Sequence, residues 1–281
     1  MRARIHEATI SSLRSVTRVA VVGHVEWVDF VRVDHYPARG EVVSGEREFA
    51  HAGGGAVVAA AVLAQLGAEV DFFCALGRDD NGRAAMAELQ ARDVTVHAAW
   101  RPIPTRTVFT LLERDGERTI VTVGERLAPA GDDELAWAAL EDADGVYVTA
   151  GDRGAIARAR AARMLVASPR TREGLQRSHV RIDALVFSAS DAHEREWADR
   201  VQGQARLMVA TEGDDGGRWW GESSGRWTAA ALPGPRRDDY GCGDAFAAGL
   251  TYGLAQGGSV LEAAEIGARC GARMLTVTGA P

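Results

Sequence analysis

Lysine is missing from this chain: every one of the 32 residues in its Lys+Arg count is arginine. The absence excludes whole classes of chemistry. A Walker A loop and the protein-kinase fold each set a lysine on the nucleotide phosphates, and imine formation with a carbonyl substrate needs a lysine amine. The abundance of Ala, Gly and Arg points to a compositional bias as the cause, and the exclusion holds whatever the cause.

Cysteine is scarce as well. Cys74, Cys242 and Cys270 are an odd number with no C-x-x-C pair and no zinc-like spacing, which fits a reducing cytoplasm. The seven histidines are scattered, without H-E-x-x-H, so no protein-built metal centre is expected. A basic excess is lacking too. The formal charge of −7 argues against nucleic acid as the main partner and leaves a small metabolite as the better expectation. No stretch has the length and apolarity to span a membrane, and residues 1–17 lack the apolar core of a signal peptide. They read as an N-terminal extension. With 46% hydrophobic residues, the remaining 18–281 can bury one large core and are expected to form one main domain.

What is present concentrates in the run Asp238-Asp239-Tyr240-Gly241-Cys242-Gly243-Asp244, followed by an apolar, helix-forming stretch over 245–254. Glycines let the backbone turn tightly and approach a ligand. The first turn of a helix presents unpaired N–H groups at the positive end of its dipole, so an anion can rest there without a cationic side chain. Asp244, at the mouth of the helix, is then suited to take a proton from a hydroxyl attacking a bound phosphoryl group. The plainer reading is a glycine turn with an aspartate cap.

Along the chain, 18–23 is a β-branched run ending in glycine, as in a buried parallel strand. Residues 30–33 and 41–49 alternate around a Pro-Ala-Arg-Gly turn, and 107–112 and 118–123 alternate around a hairpin turn at 114–117. These four are expected to form a separate small sheet. Gly53-Gly54-Gly55 leads into a helix over 56–66, a buried strand follows at 70–76, and a helix runs over 83–91. Beyond residue 132, strands at 145–149, 164–167, 184–188 and 207–211 alternate with helices. That texture predicts a doubly wound α/β sandwich with right-handed crossovers. The small sheet, with strands within about 29–50 and 102–124, is expected to act as a lid that excludes water. An edge extension or a dimer surface is the alternative, and the roles are compatible. Trp219, Trp220 and Trp227 lie in a glycine-containing hairpin and are expected to pack in the core or at an edge.

Three motifs then carry a resemblance. D-D-Y-G-C-G-D at 238–244 is similar to a D-T-x-G-A-G-D signature; the second is the double glycine, helix, L-G and strand closing on Gly77-Arg78-Asp79-Asp80-Asn81-Gly82; the third is Thr211-Glu212-Gly213-Asp214-Asp215-Gly216. In this order they resemble the ribokinase-like (PfkB) family of carbohydrate and nucleoside kinases, across 18–280. The resemblance implies a ribokinase-like α/β fold with a β-sheet lid, ATP and Mg²⁺ as cofactors, and phosphoryl transfer to a hydroxyl of a sugar or sugar-like metabolite. It implies Asp244 as general base and the N–H groups of Gly241, Cys242 and Gly243 as an anion hole. Thr211, Gly213, Gly216 and Ser188 would border the nucleotide, and Gly53, Gly54 and Gly55 the acceptor. Monovalent cation binding, K⁺ in kind, is implied for the loop around Asp238 and Tyr240, and a homodimer through the lid sheet is expected.

Departures from the pattern matter equally. The family's N-x-x-E stretch appears as Ser188-Ala189-Ser190-Asp191, so Asp191 would meet magnesium through water on a shorter arm. Val28 and Val58 stand where the family grips sugar hydroxyls with an aspartate and an asparagine. Buried sugar hydroxyls need partners, and Glu26, Asp29 or Asp152 are the replacements, with Trp27 as an apolar wall. Cys242 replaces a small alanine, and a helix N-terminus is expected to lower its thiol pKa. Two alternatives stand beside a sugar kinase: a nucleoside kinase with its base against Trp27, Val28 and Val58, and a non-catalytic nucleotide or sugar sensor.

Overall fold

The computed structural model describes residues 16–113 and 118–279. The hairpin turn expected at 114–117 lies outside them, as does nearly all of the N-terminal extension. Seven parallel strands make the body of the main sheet: β1 (Arg18–Val22), β4 (Glu69–Gly77), β5 (Val94–Arg101), β8 (Gly145–Val148), β9 (Leu165–Ala167), β10 (Ile182–Ser188) and β11 (Ala205–Thr211). An antiparallel hairpin, β12 (Gly217–Gly221) and β13 (Gly225–Trp227), extends one edge to the order β13-β12-β11-β10-β9-β8-β1-β4-β5.

β1 shows why the sheet is covered on both faces. Its apolar residues leave no polar face: Val19 and Val21 pack with α1 (Gly55–Gln65), α6 (Cys242–Ala255) and α7 (Val260–Met274). Ala20 and Val22 pack on the other side with α3 (Arg153–Ala159), α4 (Arg172–Ser178) and α5 (Ala192–Val201). A strand buried on both faces reads as a continuous hydrophobic run. α1 carries the same logic, since its Ala and Val residues from 56 to 63 are all buried. Trp219 and Trp227 stack on each other, and Trp227 stacks on Phe246, so two of the hairpin tryptophans serve the core.

The four alternating strands form their own sheet, in the order β3-β2-β6-β7, from β2 (Glu26–Val33), β3 (Gly45–Gly53), β6 (Thr107–Leu112) and β7 (Arg118–Val123). β2 begins at Glu26, and the stretch 41–44 is loop rather than strand. β5 escaped the sequence reading because Thr95 and His97 interrupt its apolar run; His97 is tied to Asp71 at 2.6 Å, which lets a polar residue sit on the sheet. α2 (Asp80–Gln90) completes the α-helices of the described residues and starts three residues earlier than expected.

Candidate active site

The chain leaves β1 toward β4 and β5 on one side, while β8 to β11 build the other, so the strand order reverses between β1 and β8. Open α/β sheets bind ligands at such a point, beyond the carboxyl ends of the strands. A cleft of about 1020 Å³ lies there, lined by Gly241, Cys242, Gly243 and Asp244 at the tip of α6. Gly241 caps the helix with φ 70°, and a Cβ on it would come within 2.8 Å of Val58 Cγ2. Only glycine meets both demands.

Asp244 is 8% exposed in the first turn of α6. The Tyr147 hydroxyl, from β8, donates to its Oδ1 at 3.0 Å, and Arg170 Nη1 stands 4.0 Å from its Oδ2. Burial above all, then the Asp244 charge, pushes the Tyr147 phenol well above its usual pKa, so it remains a proton donor. The charge of Asp244 outweighs burial and, with Glu194, raises the Arg170 pKa, so that cation is permanent. Arg170 also donates to Glu194 Oε1 at 2.9 Å, and the Ser188 N–H donates to Glu194 Oε2 at 2.9 Å.

Thr211 ends β11, and Gly213 and Gly216 follow in a tight loop with φ 62° and 82°, closed by the Glu212 N–H on Gly216 O at 2.8 Å. All three line the cleft, together with Ser188 at the end of β10 and the apolar Phe187, Leu232 and Leu275. Asp191 lines it as well and caps α5, its Oδ1 accepting from the N–H groups of His193 and Glu194 at 2.8 and 3.1 Å. Among the described residues, no group of three or more His, Cys, Asp or Glu is arranged to hold a metal ion.

At the other end, Glu26, Gly54 and Gly55 line the cleft, whereas Gly53 and Asp29 do not. Asp29 fails for a reason of periodicity: successive strand residues point to opposite faces, so Glu26 and Asp29 cannot share one. Asp29 is buried against Arg47, 2.8 Å away. Asp152 caps α3 and accepts from Gly131 N at 2.9 Å, outside the cleft. Trp27, Val28 and Val58 belong to hydrophobic clusters and not to the lining, so no base-stacking pocket is built from them. Asp238 accepts from Tyr240 N at 2.9 Å and from Gly279 N at 3.3 Å, and Gly54 N donates to the Tyr240 hydroxyl at 2.7 Å. These bonds lash the α6 loop to the C-terminal end and to the glycine turn.

Cys242 corrects an expectation. Burial, with the negative charges of Asp239 and Asp244, raises its thiol pKa, and this outweighs the Gly243 N–H and the Arg236 charge that would lower it. The cleft also contains residues that the sequence reading passed over: His24, Arg106, Arg126, Tyr147, Arg170 and Glu194. Arg170 carried a legible signal, since it follows the end of β9 and residues just past strand ends face this cleft in doubly wound sheets.

The family model for pfkB family carbohydrate kinases matches residues 16–166 and 182–281. The chain belongs to this family. It is 27% identical over 276 residues to the ATP-dependent ribose-1-phosphate kinase of Halopiger xanaduensis, covering 92% of this chain and 91% of that one. The ribokinase of Arabidopsis thaliana, solved with ribose and ATP, superposes with a TM-score of 0.75 at 19% identity over 95% of both chains. A nucleoside kinase from Methanocaldococcus jannaschii gives a TM-score of 0.74 at 14% identity over 94% of both. The ribokinase-like fold, with its large central sheet and smaller sheet, follows from these likenesses.

Proposed function

We propose that the protein transfers the γ-phosphoryl group of ATP to a hydroxyl of a sugar or sugar-like metabolite in the cleft at the tip of α6. The reading rests on one observation: Asp244 and the first-turn backbone of α6 line the same cleft, beside Tyr147 and Arg170. In a lysine-free chain, the N–H groups of Gly241, Cys242 and Gly243 form the anion hole and Arg170 supplies the side-chain cation. Removing one such donor from a preorganised site typically lowers rate by about 10²–10³. Asp244 is the general base.

ATP lies along Ser188, Thr211, Gly213 and Gly216, and the acceptor lies toward Glu26, Gly54 and Gly55. Asp191 fits a hydrated Mg²⁺ brought with ATP, since its Oδ2 makes no hydrogen bond among the described residues; the ion would neutralise charge on the β- and γ-phosphates. The small sheet closes over the acceptor as a lid and pairs two copies of the chain. A monovalent cation by Asp238 and Tyr240 belongs to the proposal, and exchange of K⁺ for choline in the assay tests it. The Halopiger relative carries ATP and ribose 1-phosphate in its name, in keeping with this reaction.

Asp244→Asn is the deciding experiment. A general base contributes about 10²–10⁴ in rate, so turnover measured by coupled ADP release should fall by that much, with ATP binding by calorimetry retained. Wild-type turnover in this variant overturns the mechanism. Binding of sugars without any ADP release by the unmodified protein would favour a sensor instead.

A further inference from the structure

Arg170 stands between two carboxylates. It sits in the short 3₁₀ turn Pro169–Thr171 that links β9 to α4, and both of its neighbours in that turn, Pro169 and Thr171, are buried. The proline ring fixes its own φ, so the arginine is presented to the cleft from a rigid base. Its side chain is 44% exposed, whereas those of Glu194 and Asp244 are 11% and 10% exposed. The cation reaches out and the carboxylates stay back.

Glu194 is set as firmly. It lies in the first turn of α5, where Asp191 Oδ1 accepts from its N–H at 3.1 Å, and the helix dipole favours a carboxylate there. Both of its oxygens are engaged: Oε1 accepts from Arg170 Nε and Oε2 from the Ser188 N–H, each at 2.9 Å. Glu194 therefore ties the turn after β9 to the end of β10.

The two ends of the guanidinium are treated differently. Nε is hydrogen-bonded to Glu194, while Nη1 stops 4.0 Å from Asp244 Oδ2, beyond hydrogen-bond reach. Neither Nη1 nor Nη2 makes a hydrogen bond among the described residues. An arginine and an aspartate left to themselves close to a two-pronged pair with N···O of about 2.7–2.9 Å. Such a pair would occupy the carboxylate that has to accept a proton, and the bond from Nε to Glu194 holds the fork short of it.

Three other arginines of the cleft have partners of their own. Arg106, just before β6, has Nη1 3.3 Å from Glu26 Oε1. Arg126, shortly after β7, donates from Nη2 to His24 Nδ1 at 2.7 Å, and Arg172 lies over the Trp197 ring, 4.0 Å from its centroid. Arg170 is left as the cation beside Asp244.

We propose that Glu194 is a positioning residue: it holds the Arg170 fork short of Asp244, so that the carboxylate stays free to accept a proton and the open Nη groups meet the transferring phosphoryl group. The inference rests on the kinase reading above and gives a role to a residue that the reading does not use. In the transfer, the acceptor oxygen forms a bond to the γ-phosphorus, the bond from that phosphorus to the ADP oxygen breaks with its electron pair staying on ADP, and the hydroxyl proton passes to Asp244. Arg170 donates hydrogen bonds to the phosphoryl oxygens throughout, and Glu194 touches neither substrate.

The test is a double-mutant cycle on kcat and KM, measured by coupled ADP release with ATP and the best acceptor among ribose, fructose, ribose 1-phosphate and adenosine. Glu194→Gln keeps the length of the side chain but sets an NH₂ group against one of the two N–H donors. It should lower kcat by about tenfold to a hundredfold, the contribution of one charge-assisted hydrogen bond, with the KM for ATP within about threefold of wild type. Arg170→Met should lower kcat by about 10²–10³. Adding E194Q to R170M should then cost less than about threefold more, because Glu194 acts through the arginine. Losses that multiply in the double variant overturn the inference, since Glu194 would then act on its own. Wild-type kcat in E194Q or in R170M overturns it too, as does a raised KM for ATP in E194Q with kcat unchanged; each of these leaves the kinase reading intact. Should E194Q fail to fold, Arg170→Lys decides. Lysine keeps the charge, but one ammonium cannot hold Glu194 and reach the phosphoryl group together, so kcat should stay within about tenfold of that of R170M. A return to wild-type kcat in R170K rejects the inference. No ADP release by the wild type with any of the four acceptors overturns both readings together.

Discussion

A Cβ on Gly55 would stand 2.5 Å from the carboxylate carbon of Asp244 and overlap both of its oxygens. The glycine at the start of α1 is therefore the floor on which the carboxylate rests, and no other residue leaves it in place. Gly55→Ala should turn the carboxylate off its line, and misplacement by an ångström costs about 10² in rate. Alanine is otherwise the better helix residue by up to about 1 kcal/mol, so melting should move by only a few degrees. Turnover and thermal unfolding measured side by side check the pair of outcomes. Wild-type turnover in G55A would mean that the orientation of Asp244 is unimportant.

Tyr147 makes a narrower claim. Its hydroxyl donates to Asp244 Oδ1 within a fully buried setting, and its raised pKa keeps the proton in place across the working range. Tyr147→Phe should cost about 1 kcal/mol of stability and lower kcat roughly tenfold, leaving both KM values near wild type, because in the proposed mechanism the bond orients the base and does not touch ATP. A steady-state comparison reads this directly. A rise in the KM for ATP with unchanged kcat would contradict it.

The fold and the glycine turn at the tip of α6, which lines the cleft, were legible because both are written in local patterns. The apolar run of β1, the four alternating strands and the Gly-Cys-Gly-Asp turn each belong to a single stretch of chain. The cleft wall formed by His24, Arg106 and Arg126 was not. Arg106, Arg126 and His24 come from three separated segments, and a surface arginine in an arginine-only composition looks the same in sequence as one that lines a cleft. Asp29 was misread by a related limit: a carboxylate on an alternating strand faces one of two sides, and only the register of β2 against β3 and β6 decides which.

The motif Gly77 to Gly82 resolves into a structural knot. Asp79 accepts from Gly82 N, Thr105 N and Thr105 Oγ1, each at 2.8 Å, while Cβ atoms on Gly77 and Gly82 would collide with the Thr105 backbone and the Gly77 carbonyl. Burial raises the Asp79 pKa, and these hydrogen bonds outweigh it, so the carboxyl titrates below its usual value. Its contribution to stability is present above the ordinary carboxylate pKa and is lost as pH falls through the depressed one. Asp79→Ala should cost about 1–3 kcal/mol, read by urea unfolding at pH 7. The loss should shrink when the same measurement is made near pH 3.

His24 gives stability a second dependence on pH, in a higher window. Burial lowers its pKa below 6.5, and burial likewise lowers that of His51. Between the lowered value and 6.5 the unfolded chain binds protons that the native state refuses, so stability rises with pH across that window and falls on acidification. Melting temperature should therefore drop from pH 7 to pH 5. His24→Asn keeps an acceptor for Arg126 without the titration, and its melting temperature should vary less over the same range. An equal slope in H24N would assign the effect to other groups.

The face of the small sheet turned away from the cleft carries the last prediction. Phe109 pairs across the ladder with Val121, and both point to the same side as Val123; all three are exposed, Val123 at 53%. Ile120, one position over, lines the cleft, so the alternation of β7 separates an inner side from an outer one. An outer face of this kind on the small sheet is suited to pairing with its own copy, which would also stiffen the root where Arg106 and Arg126 stand. Sedimentation equilibrium should give twice the chain mass for the wild type and the monomer mass for Val121→Glu, since a carboxylate there would be buried without a partner. In the monomer the KM of the acceptor should rise more than that of ATP, because Arg106 and Arg126, at the root of the small sheet, line the end of the cleft proposed for the acceptor. A wild type that sediments as a monomer at micromolar concentration removes the pairing and leaves the exposed Phe109, Val121 and Val123 as an ordinary surface.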